Sequence, residues 1–209
     1  MKNSIDFLVD LGNVLVKYNL DPFYNLIHQD SVSQMGKEKA GEQFVFLNEG
    51  KINLEEFFYF FADHSLFIRK IFYSEFKKIW ESCLLEFDHH FFSWLMELEE
   101  KDRVYLLSNT EDVHYKYAVK KWPQLKELNG HGLSYEMRIM KPDKLIYKKA
   151  SEIFGLRPES TVFIDDMEEN VAAAEQFGFY GITHKDLIRT RTQYEIMKEK
   201  GQSWLKRNY

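Results

Sequence analysis

The stretch Phe7-Leu8-Val9-Asp10-Leu11-Gly12-Asn13-Val14-Leu15-Val16 constrains this chain more than any other. An apolar run opens at Ile5, is broken by one carboxylate at Asp10, turns at Gly12 and resumes at Val14. The pattern predicts a buried strand that delivers a carboxylate at its C-terminal end. Open α/β sheets bind their ligands at that end of their strands. An apolar strand followed by Asp and Gly is also a common turn, so any partners of Asp10 have to come from elsewhere in the chain.

The later sequence alternates. Arg103 to Leu107 reads as a buried strand ending in Ser108-Asn109-Thr110, Leu133-Ser134-Tyr135 as a short strand, Thr161 to Ile164 as a strand ending in Asp165-Asp166, and Phe179 to Thr183 as the last. Helical patterns lie between them: His89 to Lys101 behind the cap residue Asp88, Val113 to Trp122, Asp143 to Phe154, Glu168 to Phe177 stopped by Gly178, and a C-terminal helix from about Lys185. Such alternation implies an α/β fold with a parallel sheet. Four strands then end in residues with chemistry: Asp10, Ser108, the Lys141 region and Asp165-Asp166. The span from Asp21-Pro22, read as an N-cap and a first-turn proline, to about residue 87 is different. Its apolar residues, among them Leu54, Phe57, Phe58, Phe61, Phe76 and Trp80, recur every three or four positions, and no strand is evident. The expected organisation is a core of residues 1–18 and 88–209 with an inserted all-helical cap of residues 19–87.

Composition narrows the function. At 44% hydrophobic and 29% charged, the 209-residue chain is an ordinary globular protein and not a disordered one. A net charge of −5 with scattered Lys and Arg argues against nucleic acid as a partner, and no apolar run approaches a membrane span. The single cysteine, Cys83, sits among Trp80, Leu84 and Leu85, which suits a buried thiol in a reducing compartment, so a cytoplasmic location is the expectation. The 18 phenylalanines predict a Phe-rich core, and the run Leu54 to Phe61 is read as cap core before substrate platform.

Phosphoryl transfer needs a nucleophile, a cation to gather the non-bridging oxygens, and donors that hold the group in line. Asp10 can attack and form a covalent intermediate. The Ser108 hydroxyl and the backbone N–H of Asn109 can donate beside the following helix. Lys141 offers a compact positive charge, and Asp165 and Asp166 suit Mg²⁺, which takes one or two carboxylates with phosphate oxygen and water. Each residue alone has a plainer use: Ser108 as a helix cap, Lys141 as a solvated lysine, the acidic pair as a helix N-terminus. Their joint occurrence at strand ends favours the chemistry.

The four segments Asp10-Leu11-Gly12-Asn13-Val14, Leu107-Ser108-Asn109-Thr110, Lys141-Pro142 and Phe163-Ile164-Asp165-Asp166, in this order, resemble the motifs of the haloacid dehalogenase superfamily of phosphohydrolases. The first two are most similar to the branch that contains bacterial α-glucose-1-phosphate phosphatases and is related to the N-terminal phosphatase domain of soluble epoxide hydrolases. The resemblance implies a Rossmann-like core with a helical cap and Mg²⁺-dependent hydrolysis of a small phosphate monoester, possible sugar phosphates included, through an aspartyl-phosphate. By position it makes Asp10 nucleophile and metal ligand and gives the Gly12 carbonyl to the metal. It assigns Ser108, Asn109 and Lys141 to phosphate, with Ser108 and Lys141 also catalytic, and gives the metal both acids of the pair: Asp166 as direct carboxylate ligand with Asp165 acting through water or supporting the ligands from behind, or the two in the reverse order.

One position departs from the family. Most of its phosphatases carry a second Asp two residues after the nucleophile as acid/base, where this chain has Gly12. Acid–base help is worth roughly 10²–10⁴-fold. Its loss leaves a non-catalytic phosphate-ester-binding protein as the alternative. A dehalogenase also lacks that Asp, but it needs no Mg²⁺ and so leaves the acidic pair unexplained. His114, one turn into the helix after Ser108, is weighed as a substitute base against a packing histidine.

Overall fold

The computed structural model describes residues 5–28, 37–98 and 103–205. In chain order the elements begin with β1 (Asp6–Val9), β2 (Val16–Tyr18), α1 (Asp21–Tyr24), α2 (Lys37–Asn48), α3 (Leu54–Asp63), α4 (Tyr73–Glu81), β3 (Leu84–Phe87) and α5 (His89–Met96). They continue with β4 (Arg103–Ser108), α6 (Asp112–Lys121), β5 (Gly130–Leu133), α7 (Ser134–Met137), α8 (Lys144–Phe154), β6 (Thr161–Asp165), α9 (Glu168–Phe177), β7 (Tyr180–Thr183) and α10 (Leu187–Leu205). The expected helix His89 to Lys101 is seen to Met96, and positions 99–102 lie outside the described residues.

Strands β5, β4, β1, β6 and β7 form one parallel sheet in that order. Helices flank it, which gives the Rossmann-like α/β core implied by the resemblance. Phe7, Leu8 and Val9 of β1 and Val162, Phe163 and Ile164 of β6 are fully buried. Unbroken apolar runs of this kind are what central strands covered on both faces require. At the start of β1 the buried Asp6 takes a two-pronged bond from Arg103, Nε to Oδ1 at 2.7 Å and Nη2 to Oδ2 at 2.8 Å. That bond pins β1 against β4 in the register Val9 opposite Leu106.

Two strands differ from expectation. β5 ends at Leu133, and Ser134 begins a helical turn, so Leu133-Ser134-Tyr135 is not a strand. The glycines of β5 hid it, because glycine argues against a strand by propensity. Gly132 is there for room: a Cβ would sit 2.9 Å from Leu107 Cδ1. β3, inside the span read as helical throughout, pairs antiparallel with β2. Its buried Leu84 and Phe87 are three apart, a spacing that fits a helix equally well. Asp21 also lies within α1 and does not cap it.

The helices between β2 and β3 form a cap with an apolar cluster of its own, centred on Phe23, Phe57, Phe61, Phe76 and Trp80. Within α3, Phe57, Phe58 and Phe61 are buried while Tyr59 is 49% exposed, so the aromatic run is chiefly cap core. An Asn53–Glu56 capping box starts that helix. Cys83 is a buried free thiol. No helix among the described residues is long and apolar enough to cross a membrane.

The cap is tied to the core at two places. Trp80 of α4 donates its indole N–H to Glu111 Oε1 at 3.0 Å, and His114 Nε2 donates to the Trp80 carbonyl at 2.6 Å. At the second place the loop after α2 lies on α7. The buried Ser134 hydroxyl donates to the Asn48 carbonyl at 2.6 Å and accepts from Thr110 N at 3.0 Å, and Arg138 donates to the Gly50 carbonyl. Gly50 has φ +63°, and a Cβ there would meet the Tyr135 carbonyl oxygen at 2.4 Å. Gly50→Ala therefore combines left-handed strain with a backbone clash and should destabilise the protein by about 1–3 kcal/mol. Urea unfolding measures the loss, and hydrogen exchange should quicken across residues 46–53.

Candidate active site

Register brings the sequence motifs together. β1 is flanked by β4 and β6, with Val9 opposite both Leu106 and Ile164. Asp10 and Asp165 each stand one residue beyond that line and Ser108 two, at the C-terminal edge where the connections diverge to either side of β1. The Asp10 amide donates to the Ile164 carbonyl at 2.9 Å, which extends the pairing to the carboxylate itself.

Lys141 does not follow a strand. It lies between α7 and α8 and reaches the same edge with a side chain that is 1% exposed. Its ammonium donates to Asp10 Oδ1 at 2.7 Å, Asp165 Oδ2 at 2.6 Å and the Leu107 carbonyl at 2.8 Å, which uses all three of its hydrogens. Asn109 holds it there. The Asn109 carboxamide donates to the Lys141 carbonyl and accepts from the Lys141 amide, both at 2.8 Å, so this side chain is committed to Lys141. Sequence reading missed that role, because a 32-residue separation carries no local signal.

Asp165 is fully buried. Besides Lys141, it accepts from Met167 N and Asn170 Nδ2 at Oδ1, each at 2.9 Å. Asp166 is half-buried and accepts from Asn13 Nδ2 at 3.2 Å. Ser108 is 2% exposed, and its hydroxyl makes no hydrogen bond among the described residues. Gly12 stands beside the carboxylate; a Cβ on it would lie 3.8 Å from Asp10 Oδ2.

The electrostatics follow from burial. Asp10 is raised to about 6, chiefly because burial penalises its charge; Lys141 works against that rise, and Asp165 and Asp166 add to it. Burial opposes the Lys141 charge, but Asp10 and Asp165 outweigh burial and hold it above the usual lysine range. Carboxylate oxygens of Asp10, Asp165 and Asp166 lie within 4.8 Å of one another. Three acids with one ammonium leave an excess of negative charge around oxygen donors alone, and this donor set fits Mg²⁺.

His114 is elsewhere. It is 5% exposed, stacked 5.0 Å from Trp80, with Nδ1 3.1 Å from Glu111 Oε1 and Nε2 on the Trp80 carbonyl. Both nitrogens are engaged in the contact between cap and core, and burial pushes its pKa below the ordinary histidine value. It is a packing histidine.

Removing the Lys141 charge would leave two buried carboxylates without a counter-ion. Lys141→Met should destabilise the protein by about 3–5 kcal/mol in metal-free buffer, measured by urea unfolding.

No protein-family model matches the chain. It is 26% identical over 189 residues to the D-ribitol-5-phosphate phosphatase of Bacteroides thetaiotaomicron, covering 83% of this chain and 88% of that one. A haloacid dehalogenase (HAD) family enzyme from the same organism, crystallised with magnesium, superposes with a TM-score of 0.75 at 28% identity, over 88% of this chain and 94% of that one. It has also been crystallised with magnesium and inorganic phosphate together. A predicted HAD-like family hydrolase of Porphyromonas gingivalis shares the fold, with a TM-score of 0.69 at 23% identity over 91% and 97% of the two chains. The ordered motifs thus converge on one sheet edge beside a helical cap, and over most of its length the chain is similar in sequence and fold to enzymes of the haloacid dehalogenase family.

Proposed function

We propose that this protein is a Mg²⁺-dependent phosphatase that hydrolyses a small phosphate monoester through an aspartyl-phosphate on Asp10. The observation that carries the reading is the Asp10–Asp165–Asp166 cluster, two of whose acids Lys141 holds, with a Ser108 hydroxyl at the same sheet edge that has no hydrogen-bond partner among the described residues. The core is taken as residues 1–18 and 88–209 and the cap as residues 19–87, closing over the site to exclude water.

In the first step an Asp10 oxygen forms a bond to phosphorus while the bond from phosphorus to the ester oxygen breaks. In the second, water attacks phosphorus, inorganic phosphate leaves and the carboxylate is restored. Asp10, Asp166 and the Gly12 carbonyl would hold Mg²⁺, and Asp165, whose oxygens take three donors, would act from behind through water. When bound, Mg²⁺ offsets the repulsion between a carboxylate and a phosphate dianion. Ser108 and the Asn109 amide donate to the phosphoryl oxygens, Lys141 turns the hydrogen it gives Asp10 toward them as that carboxylate takes the phosphoryl group, and the Asn109 side chain keeps Lys141 in place.

Gly12 supplies no acid to the leaving oxygen. The reading therefore favours esters whose leaving group needs little protonation, such as an anomeric sugar phosphate, with bound water as the proton source for the rest. The relative named for D-ribitol 5-phosphate adds polyol phosphates to the first esters to try. A binding-only protein is the second reading, and the same glycine favours it.

Phosphate release should be measured from D-ribitol 5-phosphate, glucose 1-phosphate and a wider ester panel, with Mg²⁺ and with chelator, beside Asp10→Asn. Metal-dependent release that the variant loses is expected. Release that survives in Asp10→Asn would sink the covalent mechanism, and no release from any ester by folded protein would favour the binding reading. A Cβ at position 12 meets only ordinary contacts, Asp10 Oδ2 at 3.8 Å and Tyr18 Cβ at 4.0 Å, so Gly12→Asp is the variant that tests the missing acid. It should raise kcat on alkyl phosphates by up to about 100-fold; an unchanged kcat would mean that the acid is not what limits turnover.

A further inference from the structure

We propose that Asn13 is a positioning residue for the metal site: its carboxamide orients Asp166 and ties it to the strand that leads into the cap. This deepens the reading of Asp10, Asp165 and Asp166 as a Mg²⁺ site and rests on it.

The backbone turn that carries Asn13 closes without its side chain. Leu15 N and Val16 N donate to the Leu11 carbonyl at 3.0 and 2.8 Å, and Asn13 N donates to the Val16 carbonyl at 2.7 Å. With φ +53°, position 13 is in the left-handed region, which glycine occupies freely and asparagine tolerates. Turn geometry alone therefore does not need a carboxamide.

The side chain is nonetheless held at both ends. Its Oδ1 accepts the Tyr18 main-chain N–H at 3.0 Å. A main-chain N–H only donates, so the oxygen must face Tyr18 and the amide cannot be flipped. Nδ2 is thereby aimed away from Tyr18, where it donates to Asp166 Oδ2 at 3.2 Å.

Asp166 depends on this contact as its neighbours do not. Asp10 and Asp165 are both held by Lys141, and Asp165 has two further donors. Lys141 does not reach Asp166, whose hydrogen bond among the described residues is the one from Asn13. Tyr18, the other end of the bridge, pairs with Leu84 of β3 and packs against the apolar clusters of both core and cap. One carboxamide thus connects the carboxylate free to take a metal with the strand pair at the base of the cap. Partners that orient a ligand in this way typically change metal affinity about 10–100-fold when removed.

Calorimetric titration with Mg²⁺ of wild type, Asn13→Gly and Asn13→Asp tests this, with circular-dichroism melts in metal-free buffer as the check on folding. Asn13→Gly keeps the turn and removes both bonds, so it should bind Mg²⁺ about tenfold more weakly with a melting temperature close to wild type. Asn13→Asp keeps the acceptor for Tyr18 but turns an acceptor toward Asp166, so its affinity should also depart from wild type by several-fold. Wild-type affinity in both variants, or in Asn13→Asp alone, would overturn the proposal, the latter by reducing Asn13 to a turn former. If Asn13→Gly does not fold, Asn13→Asp decides. A wild-type protein that binds no Mg²⁺ would instead remove the metal-site reading, and this inference with it.

Discussion

The Lys141 ammonium, buried between Asp10 and Asp165, is the interaction on which the site depends. A lone charge in that environment would be expensive, as would either carboxylate. Together they are tolerated because the ammonium has three hydrogens and three acceptors, two of them anionic, at 2.6–2.8 Å. The contact binds three distant parts of the chain into one cluster. It also explains the Asn109 clamp, which fixes the backbone of the residue that carries the charge.

Around that pair the two acids of β6 and its following turn are treated differently. Asp165 is enclosed and fully engaged, whereas Asp166 is half-buried with one donor. Asp165 closes the buried strand whereas Asp166 lies in the bend after it, so two neighbouring carboxylates meet different surroundings although their oxygens stay within 4.8 Å. One becomes part of the protein's own polar network and the other stays available to a cation.

The cap is held to the core by polar contacts set into an apolar boundary, and both sets touch the segment just after Ser108. Glu111 accepts the Trp80 indole while capping α6 through Val113 N and His114 N. Ser134 joins Thr110 to the cap loop at Asn48. Movement of the cap would therefore be felt two to three residues from the Ser108 hydroxyl. Neither contact is visible in the sequence, where Ser134 reads as part of a strand.

The sequence by itself determined the α/β class, the helical insertion, most strand and helix positions and the residues that meet at the sheet edge. Those properties depend on local periodicity and on side-chain chemistry at strand ends, which neighbouring residues reveal. It did not reveal β3, whose apolar spacing fits helix and strand alike, or β5, whose glycines are present for close packing, Gly130 against Phe154 and Gly132 against Leu107. Tertiary structure alone decided that Lys141 reaches Asp10 from a loop, that Asn109 clamps Lys141, that His114 belongs to the cap contact and that Asn13 addresses Asp166. Each of these joins residues whose proximity follows from sheet register and cap packing, and a hydrogen bond between residues as far apart as 153 positions leaves no trace in the order of the chain.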